Sequence, residues 1–108
     1  MKVALRTLAY ARSGDKGSNA NIGLVARSEK FYLFLQQNLT AEKVQDYFQE
    51  KNPKKTIRFE LPHLLAFNFL LLGALDGGVS YTLRSDSQGK GLAQELLNMQ
   101  IDIPPEYI

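Results

Sequence analysis

Between Arg12 and Asn21 the chain sets an arginine, a lysine, an aspartate, two serines, two asparagines and two glycines within ten residues. Main-chain amides in glycine-rich turns form concave anion nests, a lysine supplies a point charge, and an arginine supplies a planar fork. Arg12, Ser13, Gly14, Asp15, Lys16, Gly17, Asn19 and Asn21 therefore form a candidate binding set for a carboxylate or phosphate. The residues do not spell the G-x-x-x-x-G-K-[ST] phosphate loop, and no helix start follows them. Asp15 and Lys16 equally suit a solvated ion pair worth about 0–1 kcal/mol.

A second cluster runs from Asp86 through Ser87, Gln88, Gly89 and Lys90 to Gly91, at a predicted helix start, where amides and dipole favour anions. Arg84 stands just before it, so Arg84 and Lys90 join the candidate set, on the expectation that both clusters line one cleft. Asn68 lies inside an apolar run and needs partners if buried, because an unpaired amide costs about 1–3 kcal/mol. It is expected to bond the backbone of the glycine-rich loops, fixing their shape, with a direct ligand contact as the second reading. His63 is the one histidine, and the chain has no cysteine, so no metal site or cofactor is assigned. Ser13, Asp15 and His63 can be drawn as a hydrolase triad, but no strand–turn–helix elbow supports it.

The elements that must position these groups follow from periodicity. Val3 to Arg12 reads as a strand, the polar segment as a loop, and Ala20 to Arg27 as a second strand with Ile22, Leu24 and Ala26 on one face. Gly23 inside it suggests a bulge or a close approach. Ser28 caps a helix whose core stripe is Phe31, Phe34, Leu35 and Leu39, with Tyr32 and Leu33 free for a subunit contact. Thr40 caps a further helical stretch to Lys51, and the two pieces are one bent helix or two. In Thr56 to Leu61, Ile57, Phe59 and Leu61 alternate with Arg58 and Glu60, a strand with one wet face. The twelve residues from Leu64 to Leu75 are too uniformly apolar for a period; their length favours a buried helix, with the N-terminal part open to being extended. Asp76, Gly77 and Gly78 turn the chain, Val79 to Arg84 alternates as a fourth strand, and Asp86 or Ser87 caps a last helix to about Met99. Gly89 and Gly91 weaken that helix by about 1 kcal/mol each, which calls for a close-packed strand or a ligand beside them. The proline-stiffened tail from Ile101 lies along the body or a neighbouring subunit.

At 108 residues and 44% hydrophobic, this is a single folded domain spanning 1–108 rather than a disordered chain. Thirteen basic against eleven acidic residues leave +2, too weak a balance to argue for nucleic acid or an anionic membrane. No apolar run approaches the ~20 residues of a bilayer span, and Arg6 interrupts any secretory leader. The expected compartment is the cytoplasm. Four strands and three helices predict an α+β, two-layer sandwich with a mostly antiparallel sheet and its helices on one face.

The run from Ser13 to Arg27, SGDKGSNANIGLVAR, resembles the AtuA-like domain of acyclic-terpene-utilisation proteins, which also occurs as short free-standing chains. The resemblance continues at Leu61-Pro62, at Ala66 to Leu70, at Gly73 to Gly78, at Thr82 to Asp86 and at Gln88 to Lys90. It implies a ferredoxin-like fold and a bacterial role in catabolism of acyclic terpenes and related acyl compounds, with no settled reaction. Two positions depart from the pattern: Ser18 stands where an acid is common, and His63 where Gly or Asn is more usual. If that acid touches a ligand or metal, this chain lacks the contact.

Three readings remain open. The leading one is an accessory module that binds a small anionic ligand, such as an acid or an acyl-CoA, and partners an AtuA-like large-domain protein. The second is an enzyme on an acyl substrate, with Asp15, Lys16 and Asn21 in proton transfer. The third is a structural oligomerisation domain, with the chain expected as a homo-oligomer.

Overall fold

The computed structural model describes residues 1–74 and 87–108; side chains at position 16 and at 87–90 lie outside the described set. In chain order it runs β1 (Lys2–Ala4), a 3-10 turn, β2 (Ala9–Lys16), β3 (Asn19–Ala26), α1 (Glu29–Asn38) and α2 (Ala41–Tyr47). It continues with β4 (Lys55–Leu61), a second 3-10 turn at Pro62–Leu64, β5 (Ala66–Leu72), α3 (Ser87–Leu97) and β6 (Gln100–Asp102). Four strands make an antiparallel sheet in the order β2-β3-β5-β4, and β1 pairs with β6 in a separate ribbon. The three described helices lie on one face of the sheet, so the fold is the expected α+β sandwich. The predicted strand at 79–84 and its preceding turn fall outside the described residues.

Two elements differ from expectation. The first predicted strand is broken: Leu5–Thr7 turns the chain with Leu5 buried, and β2 starts afresh at Ala9. The apolar run assigned to a helix is instead β5, paired on both sides, with β3 and with β4. A strand flanked by partners and covered on one face tolerates continuous apolar sequence, so its uniformity hides its period. Leu65, with φ of 53°, breaks the run at its start by entering β5 through the left-handed region.

The helices begin where the capping chemistry says they should. Ser28 accepts from the Phe31 amide at 3.2 Å and Thr40 from the Lys43 amide at 3.1 Å, so α1 and α2 are two helices, not one bent one. The second is shorter than expected, closing in a 3-10 turn at Gln49–Lys51 and a left-handed Asn52. Tyr32 is buried and stacked on Phe67 at 4.7 Å, so it serves the core rather than a subunit contact, whereas Leu33 is exposed. The tail packs against the body: Ile101 and Ile103 are buried, and the Ile103 amide donates to the Met1 carbonyl at 2.8 Å.

Register assigns the sheet's two faces. Towards the helices point Ala9, Ala11, Ser13 and Asp15 of β2, and Ala20, Ile22, Leu24 and Ala26 of β3. Phe67, Phe69 and Leu71 of β5 join them, with Thr56, Arg58 and Glu60 of β4. Small residues on β2 let α3 press close, with the Ala93 amide 3.2 Å from Ser13 Oγ. The alternation in β4 thus runs opposite to the ordinary rule, because Arg58 and Glu60 face the helices. Arg58 Nη1 donates to the Gln36 and Leu39 carbonyls at 2.9 Å each, closing the C-terminal end of α1. Ile57, Phe59 and Leu61 take the open face, which no described helix covers.

Candidate functional site

The polar segment is not a loop but the end of a hairpin. Pairing continues to Lys16 opposite Asn19, leaving a two-residue turn of Gly17 and Ser18. Gly17 has φ of 64°, which suits glycine at the first position of a type II′ turn. The segment is therefore sorted by strand alternation into two groups that leave the sheet on opposite sides.

Ser13 and Asp15 belong to the helix side. Ser13 is half-buried against α3, and the chain direction brings the N-terminal end of α3 to the hairpin's tip. On the open face, by register, stand Arg12, Gly14 and position 16 of β2 beside Asn19, Asn21 and Gly23 of β3. Asn68 follows on β5, opposite Gly23. Asn21 Nδ2 donates to Asn68 Oδ1 at 3.2 Å, so Asn68 reaches the hairpin through a side chain rather than through the expected backbone contact. A methyl at Gly14 would sit 3.4 Å from Asn21 Oδ1, an ordinary contact with a side-chain atom, so packing does not demand a bare residue there. At Gly23 the register is unbroken and the nearest atom to a methyl would be 3.8 Å away, so neither a bulge nor a close approach accounts for it. The two glycines leave bare positions on this face, next in register to Arg12 and to the paired amides of Asn21 and Asn68.

Asn19 has a structural task, its Oδ1 accepting from the Gly73 amide at 2.9 Å. Asp15 and Asn21 do not share a face, so the proton-transfer group is not assembled there. Arg84 and the side chains of Lys16 and Lys90 lie outside the described residues. The expected cleft between the two clusters rests on Arg84, Asp86 and the side chains at 87–90, which lie outside the described residues; the Arg12–Asn21–Asn68 group stands on the open face. Gly91 is not explained by a close-packed strand, since a methyl there meets nothing within 4 Å.

The rest of the open face completes the site's setting. Apart from Asn68 and Lys55 its β5–β4 half is apolar, with Leu70 and Leu72 beside Ile57, Phe59 and Leu61, while Tyr10 and Val25 lie across from them on β2 and β3. Phe59 is 48% exposed and Tyr10 58%, high for aromatic residues on a sheet. No strand position on this face of the four-stranded sheet is acidic, whereas Arg12 and Lys55 are basic. These open-face apolar residues were not foreseen as site residues; the alternation of Ile57, Phe59 and Leu61 was the signal, and reading them as core would have hidden it.

Other features are structural. A hollow of about 470 Å³ between α1 and the tail is lined by Phe34, Asn38, Ile103 and Tyr107, away from the hairpin. Glu60 accepts from Gln36 Nε2 at 2.9 Å and from Arg58 at 2.7 Å. The Gln36 hydrogen bond and the Arg58 guanidinium hold its carboxyl below its ordinary value, against the cost of desolvation. Among the described residues no cluster of three or more metal-ligating side chains occurs, and no helix is long and apolar enough to cross a membrane.

A model of the AtuA ferredoxin-like domain matches residues 3–102. No curated protein and no solved structure matches the chain.

Proposed function

The chain belongs to the AtuA ferredoxin-like domain family, and we propose that it acts there as an accessory module binding a small anionic ligand on the open face of its sheet. Its ligand is a carboxylate or a phosphate-bearing acyl carrier such as an acyl-CoA. Its partner is an AtuA-like large-domain protein of acyl-compound catabolism. One observation carries this reading: by register Arg12, Asn21 and Asn68 lie around Gly14 and Gly23, on a face whose described strand positions hold no carboxylate. Arg12 supplies charge and a two-pronged donor, the asparagine amides supply further donors, and the missing side chains at Gly14 and Gly23 let the ligand reach the sheet. Compared with the full hairpin set, the site is narrower, because Ser13 and Asp15 face α3 and Asn19 is engaged with Gly73.

Thermal denaturation in the presence of inorganic phosphate, CoA and an acyl-CoA tests this. A ligand that binds the folded state raises the midpoint by linkage, about 2.7 kcal/mol at a hundredfold excess over Kd. Arg12→Ala is expected to remove the shift while leaving the unliganded midpoint in place, and Lys30→Ala, on the exposed side of α1, is expected to keep it. No shift with any of the three compounds, or an equal shift in Arg12→Ala, overturns the reading.

A further inference from the structure

The open face has a second property. Its bulky and bare positions are arranged so that the face fits a copy of itself. We infer that it is the interface between two copies of this chain, stacked sheet on sheet with strands running in opposite directions.

The argument is geometric. Consider a two-fold axis parallel to the sheet, perpendicular to its strands, and passing between the row of Arg12 and the row of Gly14. It sets each strand against its own counterpart and exchanges those two rows. Arg12 then projects at Gly14 of the second copy, and Asn21 at Gly23, so each protruding polar side chain meets a vacant position. On the other half of the face, Phe59 meets Ile57 of the second copy. Each strand lies on its own counterpart, with Asn68 set against Leu70 and Lys55 against Leu61 towards the rim, and the contact is isologous and closed. The alternative two-fold, parallel to the strands, exchanges β2 for β4. It lays the polar half on the apolar one and sets position 16 opposite Lys55, so it is disfavoured.

Size agrees. Four strands about 4.8 Å apart and about seven residues long, at ~3.4 Å each, give a footprint near 450 Å² per copy, on the order of 1,000 Å² for the pair with side-chain relief. That reaches the lower bound of specific interfaces, so the dimer is expected to be reversible. It also removes from water the exposed Phe59, Val25 and Leu61. β2 forms one edge of the described sheet, so Arg12 stays at the rim within reach of a solvent-borne anion. In the dimer Arg12 and Asn21 occupy the space over Gly14 and Gly23 of the second copy, so a ligand there and the second copy compete for it, and each has its own readout.

Sedimentation equilibrium of the full chain over a wide concentration range is the test. Wild type is expected to show a monomer–dimer equilibrium, with Phe59→Asp weakening it at least tenfold and Leu33→Asp, exposed on α1, leaving it unchanged. Circular dichroism checks that Phe59→Asp folds; if it does not, Leu61→Lys carries the same expectation. Because the chain has no cysteine, the double variant Ile57→Cys/Phe59→Cys reports the register. A short bis-maleimide is expected to link its copies, and not those of a Lys30→Cys/Leu33→Cys control. A wild type that stays monomeric throughout, or a dimer broken by Leu33→Asp but not by Phe59→Asp, overturns the inference. Anion-induced stabilisation of a strictly monomeric protein would sink the dimer and leave the ligand site standing.

Discussion

Phe69 and Phe59 sit on neighbouring strands of one sheet, and their surroundings could hardly differ more. Phe69 is fully buried beneath the helices, whereas Phe59 is 48% exposed on the other side. The same contrast holds for the arginines: Arg58 is enclosed by α1 carbonyls and Glu60, and Arg12 stands open opposite Gly23. One face is devoted to holding the chain together, and the other leaves aromatic and cationic side chains exposed. The difference teaches that residue type alone does not say which face is core; the position of the helices does.

Substitution at matched sites is the strongest way to break that contrast. Phe69→Ala is expected to cost about 3–5 kcal/mol in denaturant unfolding, as for other buried phenylalanines. Phe59→Ala, measured at concentrations where the chain is monomeric, is expected to stay within about 0.5 kcal/mol. Equal losses would mean that the open face is not open. A second test sharpens the account of the closed face. The buried Tyr32 hydroxyl has no hydrogen-bond partner among the described residues, and burial raises its pKa. Removing such an orphan in Tyr32→Phe is expected to raise stability by about 1 kcal/mol, read from the same unfolding curves. A loss instead would reveal a partner for that hydroxyl.

Smaller effects follow. Gly91→Ala is expected to add roughly 0.5–1 kcal/mol, since the helix gains a better former and the added methyl meets empty space. A decrease would point to a use for the bare backbone at that turn. The least effect belongs to Glu60, whose folded pKa lies below its unfolded value. Its contribution is present above the ordinary carboxylate range and is lost as pH falls through the lowered folded value. Thermal midpoints measured from neutral to acid pH should therefore fall less steeply in Glu60→Gln than in wild type. Identical slopes would show that the Gln36–Arg58 contact does not bias the carboxyl.

Much of the fold could be read from the chain because capping and alternation act locally. Ser28 and Thr40 marked two helix starts, and Ile22, Leu24 and Ala26 marked the buried side of β3. What escaped depends on neighbours distant in sequence. The run after Pro62 reads as a helix until β3 and β4 are known to flank it. Tyr32 reads as surface until Phe67 arrives beneath it. Arg58 and Glu60 read as solvated until the end of α1 supplies carbonyls and Gln36. For the candidate site, the residues Arg12, Asn21 and Asn68 were visible as chemistry; Asn68 was expected to bond the hairpin's backbone, and reaches the Asn21 side chain instead. Their separation from Ser13 and Asp15 was not visible, because a run of glycine, serine and asparagine gives little hint that strand pairing persists through it. The open-face apolar half was hidden by the same charged pair on β4 that inverted its alternation.

The small ribbon of β1 and β6 has a bearing on how the molecule forms. Lys2 pairs with Asp102 and Ala4 with Gln100, so the first strand has no partner until the last has been made. Joining points so far apart along the chain carries a large entropic cost unless the intervening part is already compact. The hairpin of β2 and β3 and the sheet beyond it are thus expected to organise first, with the two outermost segments fastening together as the closing event.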